Sequence, residues 1–384
     1  MPEGRWAPLL SGDLAGAADL AVRGIGEVLA ATAIEPPHAA DVALFWAYAA
    51  GAFDDPQTDE RYRVAVDRLV DRISGEHDAL QLFGGLAGDA WVLAHIATDS
   101  AAEVLTLVDR ELADALAVET WTGPYDLVGG LVGFGVYFLE RLHNATEDPA
   151  GAKHALARIV HHLHRLHVHA PGGVTWKTAP EHVPSPRAAD APEGYYDLGV
   201  AHGTAGVIAF LARVLALGEP PPRTDHLRDD ATRWLWAQRQ PPAPEGRFPA
   251  FLIPKRIARR TRTAWCYGDP GIAIATWSSS DDALALAREV AARAPEHTQI
   301  TEAQLCHGAS GLAHLLARGH HASGDPTLRA SAIEWYRRAL ALPVPPRGDL
   351  LEGAPGIGLA LLAAISDTEP AWDRRLLCDL PVVA

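Results

Sequence analysis

The sequence predicts an all-α fold, an α/α barrel in which an inner ring of helices is wrapped by an outer one. Three observations predict it. A Gly-x-x-Gly motif recurs six times, beginning at Gly85, Gly130, Gly203, Gly268, Gly308 and Gly353. Each motif opens an apolar stretch of helical length, such as Val207 to Leu215 or Leu312 to Ala317. Between the motifs lie more charged, amphipathic segments of the same length. The starts are 45, 73, 65, 40 and 45 residues apart, room for two helices per unit. An apolar helix led by glycines, alternating with a polar-faced one, is the pattern of buried inner and half-exposed outer members.

In chain order, the helices from Ala15 to Ala50 are candidates for further members of the rings, ahead of the first motif. Outer helices are expected at Arg61 to Ile73, Ala101 to Leu116, Ala150 to His167, Thr224 to Gln238, Asp281 to Arg293 and Thr327 to Leu340. The paired glycines suit inner-helix starts, because a residue without a Cβ tolerates positive φ and lets backbones crowd around an axis. Two stretches interrupt the pattern. Ala170 to Tyr196, rich in Pro and Gly, reads as a long loop over one end of the barrel. Pro241 to Arg260 ends in a basic run of Lys255, Arg256, Arg259 and Arg260, followed by Arg262.

The totals narrow the class. With 384 residues, 48% of them hydrophobic, a single large domain over 1–384 has ample core. There are 33 basic and 48 acidic residues, a net charge of −15 that argues against a nucleic-acid partner. Three cysteines cannot make a disulfide framework, and Glu3, Arg5 and Asp13 break any signal-peptide core. A reducing, cytoplasmic setting is therefore expected, with thiols free to bind metal. No apolar run reaches the ~20 residues of a membrane span.

The chemistry gathers just before the glycines. If every inner helix starts at the same end, the residues preceding each motif ring one mouth: Gly84, Gly129, His202, Tyr267, His307 and Glu352. One step earlier, Cys266 and Cys306 occupy the same phase of consecutive copies, which places them side by side. With His307 they offer two thiolates and an imidazole to one cation, a zinc-like set with one position open. A substrate thiol bound there would be held as a thiolate at neutral pH, which points to thiol addition or alkylation. His202 is a candidate general acid or base. Asp126, four residues before Gly130, either orients His202 or caps its helix. Arg262 is a candidate for an oxyanion or a carboxylate, and Tyr267 either donates a hydrogen bond to the same oxygen or simply packs. Cys378 has no repeat partner and reads as a core thiol. The histidines at 154, 161, 162, 164, 167 and 169 offer no ligand triad and read as a wet outer face.

Three segments carry a resemblance: Tyr196-Asp-Leu-Gly-Val-Ala-His-Gly-Thr-Ala-Gly, Trp265-Cys-Tyr-Gly-Asp-Pro-Gly and Leu305-Cys-His-Gly-Ala-Ser-Gly. They resemble the signature segments of the lanthionine synthetase C-like family. The resemblance implies an α/α toroid of seven inner and seven outer helices and one Zn²⁺ on Cys266, Cys306 and His307. Beside the metal it implies a catalytic neighbourhood of Asp126, His202, Arg262 and Tyr267. Its bacterial members cyclise lanthipeptide precursors: a peptide cysteine adds to dehydroalanine or dehydrobutyrine and leaves a thioether. The implied partners are a dehydrated precursor peptide with its leader, a separate dehydratase and a transporter. Two other readings stay open at this level, a glutathione-binding or glutathione-adding relative and a non-catalytic zinc-stabilised scaffold.

Overall fold

The computed structural model describes residues 6–96, 101–144 and 148–381. Glu3 and Arg5, used above to read the N-terminus, lie outside these. Among the described residues, seven helices form a closed inner ring: α2 (Ala39–Ala52), α4 (Leu86–Ile96), α6 (Leu131–His143), α9 (Thr204–Ala216), α11 (Asp269–Ala275), α13 (Ala309–Ser323) and α15 (Ala354–Ile365). Each packs on the next, and α15 closes on α2. Seven more helices back them one each: α3 (Pro56–Ile73) on α2, α5 (Ala102–Leu116) on α4, α7 (Pro149–Leu166) on α6, α10 (Thr224–Ala237) on α9, α12 (Ala283–Ala291) on α11, and α14 (Pro326–Leu340) on α13. The seventh, α1 (Gly12–Ala31), comes from the start of the chain and packs on the last inner helix, α15. The ring is thus sealed by the two ends of the sequence.

Local chemistry sorts the two rings. Outer α5 buries Leu105, Val108, Leu112 and Leu116, a single stripe at helical spacing. Outer helices α3, α7 and α14 start at Asp-Pro: Asp55, Asp148 and Asp325 cap free backbone N–H groups, and the following proline spends no donor. In inner α15, by contrast, every residue from Ala354 to Ala364 is buried.

The motif glycines are explained by close approach more than by backbone freedom. A Cβ on the second glycine would meet the carbonyl oxygen six residues earlier, at 1.8 Å for Gly88 and 1.7 Å for Gly311, with the other four copies alike. Of the six leading glycines only Gly268 has a positive φ, +98°. The expected need for positive φ therefore holds at one copy. At the others, the preceding loop folds back so tightly under the helix start that no side chain fits. Helix α2 has no such motif; there the Asp41 carboxylate accepts Leu350 N at 2.9 Å and Arg375 Nη1 at 2.6 Å.

Ala170 to Tyr196 is not a structureless loop. It holds β1 (Val168–Ala170) paired antiparallel with β2 (Gly173–Thr175), then β3 (Lys177–Thr178), the single-turn α8 (Ser185–Ala188) and β4 (Tyr195–Asp197). β4 lies between β3 and β5 (Phe251–Leu252) in a three-stranded antiparallel sheet, so the two irregular stretches join in one small structure. Side-chain alternation over two or three residues is too short to show as a strand pattern in the sequence.

A 3₁₀ segment, Ala371–Leu376, ties inner-ring elements together from within. Arg375 bonds Asp41 and the Leu82 carbonyl, Arg374 bonds Glu140, Asp373 takes Arg318 and His314, and Trp265 Nε1 donates to Leu376 O. These charged side chains are buried in pairs, the condition under which a core tolerates them. No helix among the described residues is long and apolar enough to cross a membrane.

Candidate metal centre and active site

Backbone hydrogen bonds stitch the mouth loops into a chain. Val128 N donates to Ala201 O (3.3 Å), Val200 N to Cys266 O (3.0 Å), Trp265 N to Cys306 O (3.1 Å) and Cys306 N to Leu351 O (2.8 Å). Each loop is therefore in register with the next, and residues of equal repeat phase become spatial neighbours. This places Cys266 against Cys306, with His307 completing the group: one ligand atom from each lies within 4.8 Å of the others. Both cysteines are buried, and His307 is partly open toward the mouth. The donor set suits a soft or borderline divalent ion such as Zn²⁺, and three protein ligands leave a fourth tetrahedral position.

The electrostatics prepare the sulfurs for that role. A hydrogen bond from Cys306, opposed by burial and helped by His307 and the charge of Arg262, brings the Cys266 thiol down to about 5. The shared proton and burial push Cys306 the other way. The shared proton thus favours a thiolate at Cys266, and a cation of charge two would favour loss of the second proton as well. Cys378 is a different case: wholly buried, raised by desolvation, its sulfur donates to Leu376 O at 3.4 Å.

Beside the metal cluster sits a histidine–carboxylate pair. His202 Nδ1 is 2.9 Å from Asp126 Oδ2, while Asp126 Oδ1 accepts Gly129 N at 2.7 Å. Of the two roles considered for Asp126 the structure takes orientation: one oxygen holds His202, and the other braces its own turn at Gly129, ahead of α6, whose N-cap Gly130 has no side-chain cap. Burial presses His202 toward the neutral form, but the bond to Asp126 and the charges of Asp126 and Asp197 outweigh it. Its pKa lies above the ordinary histidine value. With Nδ1 engaged, Nε2 is the nitrogen left for a ligand. Arg262 is exposed at the rim and has no hydrogen bond or ion pair with described residues, though its charge is felt at both sulfurs. Tyr267 sits next to Cys266, and its Oη donates to Asp197 Oδ2 at 3.0 Å.

His202, Asp126 and Tyr267 line a cleft of about 650 Å³. Its other walls come from Trp121 and Tyr125 and from the inserted segment, which supplies Lys177 and Tyr195 from the sheet and Arg187 from α8. Another cleft of about 650 Å³ lies among α1, α2 and α3, around Leu29, Trp46 and Arg61, and contains none of these residues.

Sequence reasoning missed Asp197, Glu302 and the cleft wall. Asp197 is fully buried and raised to about 6, by burial against the opposing charge of His202. Glu302 reaches to 3.9 Å from His307 Nε2. A signal existed: Asp197, Arg262 and Glu302 each stand six residues before the leading glycine of their motif, at Gly203, Gly268 and Gly308. The backbone at that position folds beneath the helix start, and at Asp197 the side chain reaches the neighbouring loop. The histidine-rich stretch also differs from expectation in one member. His162 is buried and Nε2 bonds the Leu116 carbonyl at 3.0 Å, joining α7 to the end of α5. The wet face is left to its neighbours such as His154 and His161.

Fold and site together define a class: an α/α toroid with a Cys-Cys-His cluster and a His-Asp pair at one mouth. The lanthionine synthetase C-like protein family matches residues 39–377, and the chain belongs to that family. No curated protein matches the sequence. Among solved structures, nisin cyclase is similar in fold at 19% identity, with a TM-score of 0.74 over 94% of this chain and 96% of that one.

Proposed function

We propose that the chain is a lanthipeptide cyclase, forming lanthionine or methyllanthionine in a dehydrated precursor peptide. The observation that carries this reading is the Cys266, Cys306 and His307 cluster with Tyr267 next to it in the chain and His202 on the neighbouring loop, the latter two lining a cleft of about 650 Å³. A Zn²⁺ ion held by the three would stabilise a peptide cysteine as the thiolate, the form that adds to a dehydroamino acid. The protein's own groups handle the rest. Addition of sulfur to the β-carbon of dehydroalanine moves charge onto the carbonyl oxygen, and Arg262, a permanently protonated and unpaired donor, is suited to meet it. The α-carbon must then take a proton. His202 supplies it from Nε2, while Asp126 fixes the ring through Nδ1 and favours the charged, proton-loaded form. Family membership supports the reading, and the likeness to nisin cyclase supports the scaffold.

The substrate is a peptide that has already lost water from Ser or Thr, so a separate dehydratase acts first. As a candidate for gripping a leader the basic run keeps Arg259 exposed, while three of its members are already partnered. Arg256 is paired with Asp190 at 2.7 Å, Lys255 faces Glu193 at 3.8 Å, and Arg260 bonds the Gly246 and Pro241 carbonyls. The cleft wall formed by the inserted sheet is the better one.

The test is incubation of zinc-loaded protein with a dehydrated precursor, followed by thiol alkylation and mass spectrometry. Loss of alkylatable thiols against a no-enzyme control supports cyclisation. Thiol counts equal to that control refute it, and adducts appearing only with added glutathione would assign the chain to the glutathione reading instead.

A further inference from the structure

A phenol has one proton to donate and lone pairs to accept with. In Tyr267 the proton is already committed to Asp197 Oδ2, at 3.0 Å. Asp197 is in turn immobile. Its other oxygen takes the Gly199 N–H at 2.9 Å, and the start of α9 presses on it so closely that a Cβ at Gly203 would lie 2.5 Å from Oδ1. The Tyr267 ring is held too, flat on the loop at Gly199, where a Cβ would come within 2.6 Å of it. An aspartate serving only its own turn needs one oxygen; here the second is spent across the mouth, on the next loop.

We infer that Asp197 is a positioning residue that takes the Tyr267 hydroxyl proton and so presents Tyr267 to the cleft as a hydrogen-bond acceptor. The group it faces is a donor, and in a peptide substrate that is a backbone N–H. On this inference Tyr267 neither donates to the developing oxyanion nor merely packs, the two roles its sequence position left open, and Arg262 is left to meet that oxygen. The device repeats the Asp126–His202 pair one loop further round: a carboxylate from one mouth loop orients the reactive side chain of the next. The inference rests on the cyclase reading for its substrate, though not for the Asp197–Tyr267 contact itself.

The experiment is a double-mutant cycle on Asp197→Ala and Tyr267→Phe. Its substrate is a synthetic peptide bearing one dehydroalanine and one cysteine, and zinc content and helical circular dichroism serve as folding controls. Asp197→Ala should lower kcat about tenfold, the worth of one buried hydrogen bond, and should cost nothing further in the Tyr267→Phe background. Asp197→Asn offers one acceptor oxygen to two donors, Gly199 N and Tyr267 Oη, so it should lose activity as well, and again cost nothing further in the Tyr267→Phe background. An equal loss from Asp197→Ala in both backgrounds would overturn the inference. A second readout needs no turnover: with 3-fluorotyrosine incorporated, the ¹⁹F resonance missing from Tyr267→Phe should shift in Asp197→Ala, and an unmoved resonance would overturn it equally. Should the wild type leave the peptide open, the cyclase reading fails while the ¹⁹F result still decides the role of Asp197.

Discussion

Gly311→Ala separates helix propensity from the geometry of the mouth. Gly311 lies in the first turn of α13, where exchange of Gly for Ala ordinarily stabilises a helix by about 1 kcal/mol. Here the new Cβ would stand 1.7 Å from the carbonyl oxygen of Leu305, the residue before Cys306. Since Cβ atoms essentially never come within 3.0 Å of such a neighbour, the loop must retreat by at least about 1.3 Å. Metal ligands tolerate errors of only ~0.2 Å, so Cys306 and His307 cannot both stay in place. Gly319, later in the same helix, is the control. Its Cβ would meet the flexible end of Leu328 at 3.0 Å, which can yield. Gly311→Ala should lower the thermal midpoint, by an overpacking cost of roughly 1–3 kcal/mol, and lose stoichiometric zinc measured by plasma mass spectrometry. Gly319→Ala should keep its zinc and unfold within a few degrees of wild type. A Gly311→Ala protein with full zinc and an undiminished midpoint would refute the close-packing account of the motif.

Three further outcomes follow. Cys266→Ala should abolish zinc binding with the helical signal intact, whereas Cys378→Ala should leave one zinc per chain; on metal-free protein near pH 6.5, iodoacetamide should modify Cys266 ahead of Cys378, read by peptide mapping. Because Asp126 raises the His202 pKa, their pairing stabilises the fold fully below the unfolded value of 6.5 and fades as pH rises through the higher folded value. Asp126→Asn should therefore move the His202 titration, followed by NMR, to lower pH and narrow the alkaline side of any activity profile; an unmoved titration would contradict the pairing. Asp41→Ala leaves Arg375 buried without its counter-ion and should cost about 3–5 kcal/mol in denaturant unfolding, a loss too large for a surface pair.

The sequence by itself determined the repeat, hence the inner and outer helices, and the equivalence of Cys266 with Cys306, because identical positions of a repeat have identical surroundings. It also placed His202 and Asp126 near one mouth. Three things were decided only by tertiary structure. The sequence offered the helices from Ala15 to Ala50 as ring members without saying which ring; that α2 is the seventh inner helix shows only in the structure, where Asp41 meets Leu350 and Arg375, more than three hundred residues away in the chain. The sheet β3-β4-β5 draws two interruptions of the repeat into one cleft wall, through strands too short to leave a period. The donor direction of Tyr267 was also beyond the sequence: a phenol can give or take a hydrogen bond, and only the buried carboxylate of Asp197, arriving from another loop, settles which.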